Sequence, residues 1–330
     1  MIAALVEGAH QDQFAAETAR FRRELLAHCY RMAGAAHEAE DLVQETYLRA
    51  WRGFAAFEGR ASVRSWLYKI ATNVCLSALA SRQRRVLPSG LTDSSDDPDR
   101  PPVQVAPDEV SWLEPCPDRW LAAADDPVAT IVTRQSVRLA LIASLQLLPA
   151  RQRAIFLLTQ VLAFSAEETA ETLGTTLAAV KSGLQRARAR MDEQEPRPEE
   201  LLEPADARAR QLLDGYIAAF ERSDANLLLK VLRADATLEA TPFLDWQVGR
   251  INCIRMLERY VLGAPGDWRM LPTTANGQPA AAVYRRDATG GLRASDIVVL
   301  APTAGGISRV VAFHDPALVA RFGFADRLVE

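Results

Sequence analysis

The chain has no apolar run near the roughly 18 residues that a membrane-spanning helix needs. Its first residues, Met1 to Phe14, lack the basic start and the apolar core of a secretory signal. Both absences lead to the expectation of a cytoplasmic protein. Cysteine is scarce: Cys29, Cys75, Cys116 and Cys253 show no C-x-x-C spacing, and no histidine pair lies close by. Zinc and redox-motif readings therefore lose support. Four buried free thiols are the expectation, with no metal and no cofactor. A strong net charge is also missing, since 38 Lys and Arg against 42 Asp and Glu leave −4. The balance alone argues against wholesale binding to nucleic acid. What remains, at 49% hydrophobic and 24% charged over 330 residues, is a soluble globular chain of about two or three domains.

The distribution of charge says more than its sum. From Glu58 to Arg85 the chain carries Arg60, Arg64, Lys69, Arg82, Arg84 and Arg85, and no acid follows Glu58. Between Leu91 and Asp126 the sign reverses, with ten acids against Arg100 and Arg119. Six prolines between Pro98 and Pro117 exclude a regular helix there. Residues 91–127 are read as a mostly disordered acidic linker, in which Trp112, Leu113, Trp120 and Leu121 are the candidates for local docking. A second charged stretch at 192–205 separates off a part of different character. That part starts with a helix over about 206–222 and moves to β-like runs at Ala280–Tyr284, Asp296–Leu300 and Ser308–Phe313, punctuated by Gly290-Gly291 and Gly305-Gly306. The fold class is multidomain: two all-α helical modules followed by an α+β domain.

The clearest local signal begins at Ser165. With Glu168 three residues on, it forms a capping box, Gly174 ends a helix of about two turns, and Thr175 or Thr176 caps the next. Two helices joined by a short glycine-bearing turn have the layout of a helix-turn-helix. In the second helix Val180, Leu184, Ala187 and Met191 make an apolar stripe. Lys181, Ser182, Gln185 and Arg188 stand beside it, combining cations for phosphates with side chains that reach base edges. An ordinary amphipathic helix with a solvated basic face explains the same residues; the capping box and the run of cations favour DNA.

In the first module, His37 to Arg52 is one helix by periodicity. Leu42, Val43, Thr46 and Ala50 face one way, and Glu38, Asp41, Glu45, Leu48 and Arg52 the other. A leucine among acids fits a docking site for a basic partner helix. Next, Phe54, Phe57, Trp66 and Tyr68 interleave with Arg60, Arg64 and Lys69. Aromatics that stack bases beside cations that track a backbone suit melted nucleic acid, although some of these rings must be core in so small a module.

These residues carry a resemblance. Asp41-Leu-Val-Gln-Glu-Thr-Tyr-Leu-Arg-Ala-Trp, then Phe57-Glu-Gly-Arg, then Ser65-Trp-Leu-Tyr-Lys-Ile-Ala-Thr-Asn resembles region two of an extracytoplasmic-function sigma factor of the sigma-70 family. Leu148-Pro-Ala-Arg-Gln-Arg with the helix-turn-helix resembles region four. The resemblance implies a dissociable subunit of bacterial RNA polymerase that recognises promoter DNA. Asp41, Gln44, Glu45 and Leu48 match positions that dock the polymerase core. Phe57, Arg60, Ser62, Arg64, Trp66 and Asn73 match the segment that captures −10 bases during melting. Lys181, Ser182, Gln185 and Arg188 would read the −35 element, and the acidic linker would thread a basic polymerase channel. The implied domains are region two at 1–90, the linker at 91–127, region four at 128–191, a second linker at 192–205 and a terminal domain at 206–330. Thr159-Gln160 stands where region four often has a charged pair.

The terminal domain resembles the SnoaL-like, NTF-like cone appended to one sigma-factor subgroup, where it regulates in cis. Its most specific piece is Asn276, Gly277, Gln278 and Pro279, and Asn-Gly is also a turn signal in its own right. Enzymes on that fold need a base and an oxyanion donor facing one pocket. Asp245, Asp296, His314, Tyr216, Tyr260 and Tyr284 are the candidates, but a fold does not imply catalysis. The expectation is a non-enzyme, with a ligand-sensing pocket for an unnamed small molecule more plausible than turnover. The alternatives are a one-component, ligand-sensing helix-turn-helix regulator and a cyclase or isomerase with appendages. Neither accounts as well for the acidic face, the aromatic-basic module and the linker.

Overall fold

A computed structural model describes residues 12–59, 61–106, 109–121, 136–194 and 201–328. Residues 1–11, Arg60, 107–108, 122–135, 195–200 and 329–330 lie outside the described residues. The chain divides into two compact units: residues up to 84 with 119–196, and 85–118 with the residues from 197 on.

In the first unit, α1 (Arg22–Ala33) ends at Gly34, which takes the left-handed φ of 75° that a tight stop requires. The next helix, α2 (Ala36–Phe54), buries Leu42, Val43, Thr46 and Ala50 as its periodicity predicts. Ser62 caps α3 (Val63–Leu79) by accepting from the Ser65 amide at 3.0 Å. The second module supplies α4 (Leu139–Gln146), α5 (Ala150–Phe156), a π turn over Leu157–Val161, α6 (Ala166–Thr172) and α7 (Leu177–Gln194).

A buried cation joins the two modules of this unit. Arg153 on α5 is 4% exposed. It donates to the Met32 carbonyl, to Gln146 Oε1 at 2.6 Å, and to the carbonyls of Gln146 and Leu148 at 3.2 and 3.1 Å. Desolvation lowers its pKa to about 10, so it stays protonated at neutral pH, and its four acceptors offset the cost of burial.

The second unit is the expected α+β domain. Helices α8 (Ala207–Glu221), α9 (Ala225–Val231) and α10 (Arg250–Tyr260) accompany β1 (Leu232–Thr241), β2 (Gln247–Val248), β3 (Trp268–Ala275), β4 (Gln278–Arg286), β5 (Leu292–Thr303) and β6 (Gly306–Phe313). A short α11 (Pro316–Arg321) and β7 (Arg327–Leu328) follow. The strand order is β2-β1-β6-β5-β4-β3, with β7 on β5; β1 and β6 run parallel and the other pairs antiparallel. Leu212, Tyr216 and Phe220 of α8 share a core with Ile254 and Leu257 of α10 and with Met270, Ala281, Val283, Val298, Leu300 and Val310 of the sheet. The alternation 281/283 and 298/300 shows one sheet face turned to the helices.

One expectation is corrected. Residues 91–106 and 109–118 are not disordered; they are held on the terminal domain. Their charges find fixed cations there: Asp99 engages Arg255 and lies 4.0 Å from Arg259, while Glu114 pairs with Arg321 at 3.5 Å. Backbone bonds add register, with Val105 N donating to Pro242 O at 2.9 Å and Leu244 N to Val103 O at 3.0 Å. Leu113, Cys116 and Leu121 are buried, so Leu113 and Leu121 dock as anticipated, although Leu121 belongs with the helical unit. All four cysteines are free and buried. No helix among the described residues is long and apolar enough to cross a membrane.

Candidate polymerase and nucleic-acid interfaces

On α2, Asp41, Gln44 and Leu48 are exposed and Glu45 is half-buried. Leu48 is 51% exposed, and Glu45 holds Arg49 at 2.6 Å one turn on. Sequence reasoning placed Glu38 on this face too, but it is committed to Arg82 at 2.6 Å. It missed Trp51, 40% exposed three residues after Leu48, whose helical spacing was the available signal. The Phe14 ring packs edge-on to Trp51 at 5.3 Å, which steadies the indole without covering it.

Along α3, the spacing of Ser62, Trp66, Lys69 and Asn73 places them on one stripe. Phe57 lies against Trp66, ring centroids 4.7 Å apart. Arg64 falls off the stripe: it donates to Glu24 at 3.0 Å and lies over the Tyr68 ring at 4.9 Å. The far end of the stripe is touched by α6, where Lys69 meets Glu171 at 3.4 Å and Asn73 donates to Thr172 O at 3.4 Å, yet Asn73 stays exposed.

The helix-turn-helix is built as its sequence predicts. Ser165 Oγ accepts from Glu168 N at 3.0 Å, and Glu168 Oε2 from Ser165 N at 2.7 Å. Gly174 takes a φ of 55°, and Thr176 Oγ1 accepts from Ala179 N at 3.2 Å to start α7. Val180, Ala187 and Met191 are buried, with Gly183 beside them and Leu184 at the margin. Lys181, Ser182, Gln185 and Arg188 are all exposed, so the basic face is open to solvent.

Models of two families match these modules: Sigma-70 region 2 over residues 18–85 and Sigma-70, region 4 over 138–191. The chain is 46% identical over 329 residues to the ECF RNA polymerase sigma factor SigG of Mycobacterium tuberculosis, covering 96% of this chain and 85% of that one. It belongs to the extracytoplasmic-function sigma factors. SigJ of the same organism is 29% identical over 217 residues, 66% of this chain and 61% of that one. The crystal structure of SigJ shares the fold, with a TM-score of 0.58 at 22% identity over 93% of this chain and 98% of that one.

In this sigma factor Asn276 and Gly277 form the two-residue turn between β3 and β4, with φ of 57° and 67°, the geometry that favours Asn-Gly. They also grip the linker. Asn276 Oδ1 accepts from Cys116 N at 2.9 Å, Asn276 N donates to Cys116 O at 3.0 Å, and Gly277 N donates to Asp118 at 2.8 Å. Gln278 donates to Leu300 O at 3.0 Å, and Pro279 is buried in β4.

Of the six candidate catalytic groups of the terminal domain, Asp245, Tyr260 and Tyr284 stand apart on separate partners, while Asp296, His314 and Tyr216 come together. Asp245 pairs with Arg100 at 2.9 Å, Tyr260 donates to the Asp99 carbonyl, and Tyr284 donates to Ala325 O at 2.7 Å. Asp296 meets His314 Nδ1. Burial, with the Asp296 charge second, pushes the Tyr216 hydroxyl well above its usual range. None of these six lines the surface cleft of about 380 Å³ between Glu221, Trp268, Arg269, Arg286 and Leu292.

Proposed function

We propose that this sigma factor docks core RNA polymerase through the exposed side of α2, with Asp41, Gln44, Glu45 and Leu48 in contact. The carrying observation is Leu48, more than half exposed beside Trp51 and among carboxylates. Apolar side chains presented together mark a partner surface, and the acids select a basic one. Phe57, Arg60, Ser62, Arg64, Trp66 and Asn73 take the −10 strand, with the rings stacking on its bases. Lys181, Ser182, Gln185 and Arg188 read the −35 element in the major groove. The terminal domain acts in cis: it holds residues 91–106 and 109–118 of the linker assigned to the polymerase channel, and so competes with polymerase for them. The protein works in the cytoplasm and does no covalent chemistry.

Titration of labelled full-length protein against core polymerase tests this. Asp41→Ala with Glu45→Ala should weaken binding about tenfold, equivalent to about 1.4 kcal/mol, with the helical content intact. Unchanged affinity refutes the docking face. A one-component regulator would instead shift promoter duplex tightly without polymerase.

A further inference from the structure

Arg188 is held from outside its own helix. Its Nη2 donates to Gln160 Oε1 at 2.7 Å, although both side chains are exposed. Gln160 belongs to the π turn Leu157–Val161. There Leu162 N donates to Leu157 O at 3.0 Å, Phe164 N to Leu158 O at 2.9 Å, and Ala163 takes a φ of 57°. Leu157 and Leu158 are fully buried and Phe164 nearly so, so Gln160 rises from a fixed base. Each residue of a regular helix turns by about 100°, so a wide turn resets where the following side chains point. Such turns recur at functional sites.

We propose that Gln160 is a positioning residue for −35 recognition, holding the Arg188 guanidinium ready for DNA. The proposal rests on the reading of Arg188 as a −35 contact. A guanidinium carries five N–H donors, and the bond to Gln160 uses one, leaving the others for a base edge or a phosphate. A free arginine loses rotamer freedom when it docks; one already held loses less. The amide oxygen orients the cation without neutralising it, as a carboxylate there would.

The test uses holoenzyme reconstituted from full-length protein and core polymerase, on a promoter selected from a library randomised over the −35 element. Gln160→Ala, Arg188→Ala and the double variant are compared for affinity, base preference and salt dependence. Gln160→Ala should lower affinity about three- to tenfold and relax preference at the base position that Arg188→Ala relaxes. The double variant should match Arg188→Ala alone. Gln160→Glu, which keeps the acceptor but pairs the Arg188 charge, should retain the base preference while lowering affinity and its salt dependence, a split that a merely structural role does not produce. Independent losses, tighter binding by Gln160→Ala, or an impaired Arg188→Ala beside an unaffected Gln160→Ala overturns the proposal. If Arg188→Ala is itself without effect, the −35 reading fails and this inference with it.

Discussion

His28 is a buried imidazole with little to stabilise its charge. Nε2 lies 3.0 Å from the Thr72 hydroxyl, the ring packs edge-on to Tyr68 at 5.3 Å, and Nδ1 is buried with no partner. Burial, reinforced by the Arg31 cation, lowers its pKa to about 3. The unfolded chain, with an ordinary histidine near 6.5, therefore binds a proton that the folded chain excludes between those values. Stability is intact above about pH 6.5 and falls as pH drops, by about 1.4 kcal/mol per unit. Region two should lose about 2 kcal/mol by about pH 5, and His28→Gln should remove that slope. Urea midpoints at neutral and mildly acid pH, followed by NMR at residues of α1 and α3, check it; parallel behaviour of the two proteins refutes it. The sequence shows a histidine in a helix, but not that Thr72 and Tyr68, some 40 residues away, close over it.

Among the elements, those specified by neighbours in sequence were the legible ones. The α2 face, the capping box at Ser165 and the Asn276-Gly277 turn each depend on contacts within a few residues, and each is built as read. Strands β4, β5 and β6 were readable as apolar runs. Strand β1 carries Arg233, Asp235 and Glu239, and the edge strand β3 carries Pro272, which an edge tolerates; both hid their character behind polar or breaking residues. Gly183 shows what helical periodicity overlooks. A Cβ there would come within 2.6 Å of Ile155 Cδ1, so α7 approaches α5 through a missing side chain. Gly183→Ala gains about 1 kcal/mol of helix propensity against a clash with one rotatable terminal methyl, whose rotamer shift costs about 1 kcal/mol. The two nearly cancel, so little net change in thermal stability is expected. Adding Ile155→Val deletes the clashing methyl, and the double variant should exceed the sum of the single effects. Strict additivity in thermal melts would exclude this contact as the cause of the cancellation.

For the molecule as a whole, the acidity of residues 91–118 was legible and its destination was not. Arg255, Arg259 and Arg321 lie more than a hundred residues further along, and nothing local marks them as partners for Asp99 or Glu114. Asn276 offers the sharpest probe of that docking, because it serves both the turn and the linker. Asn276→Gly keeps a residue at ease with positive φ while removing the acceptor for Cys116 N. Asn276→Ala loses both and should cost about 1–3 kcal/mol. Amide exchange at Leu113 and Cys116 should accelerate in both variants, while β3–β4 pairing stays protected in the glycine variant. Transcription output should then shift in the direction produced by truncation after Pro204. Faster linker exchange with unchanged output would separate docking from regulation and leave the cis-acting role to another surface of the terminal domain.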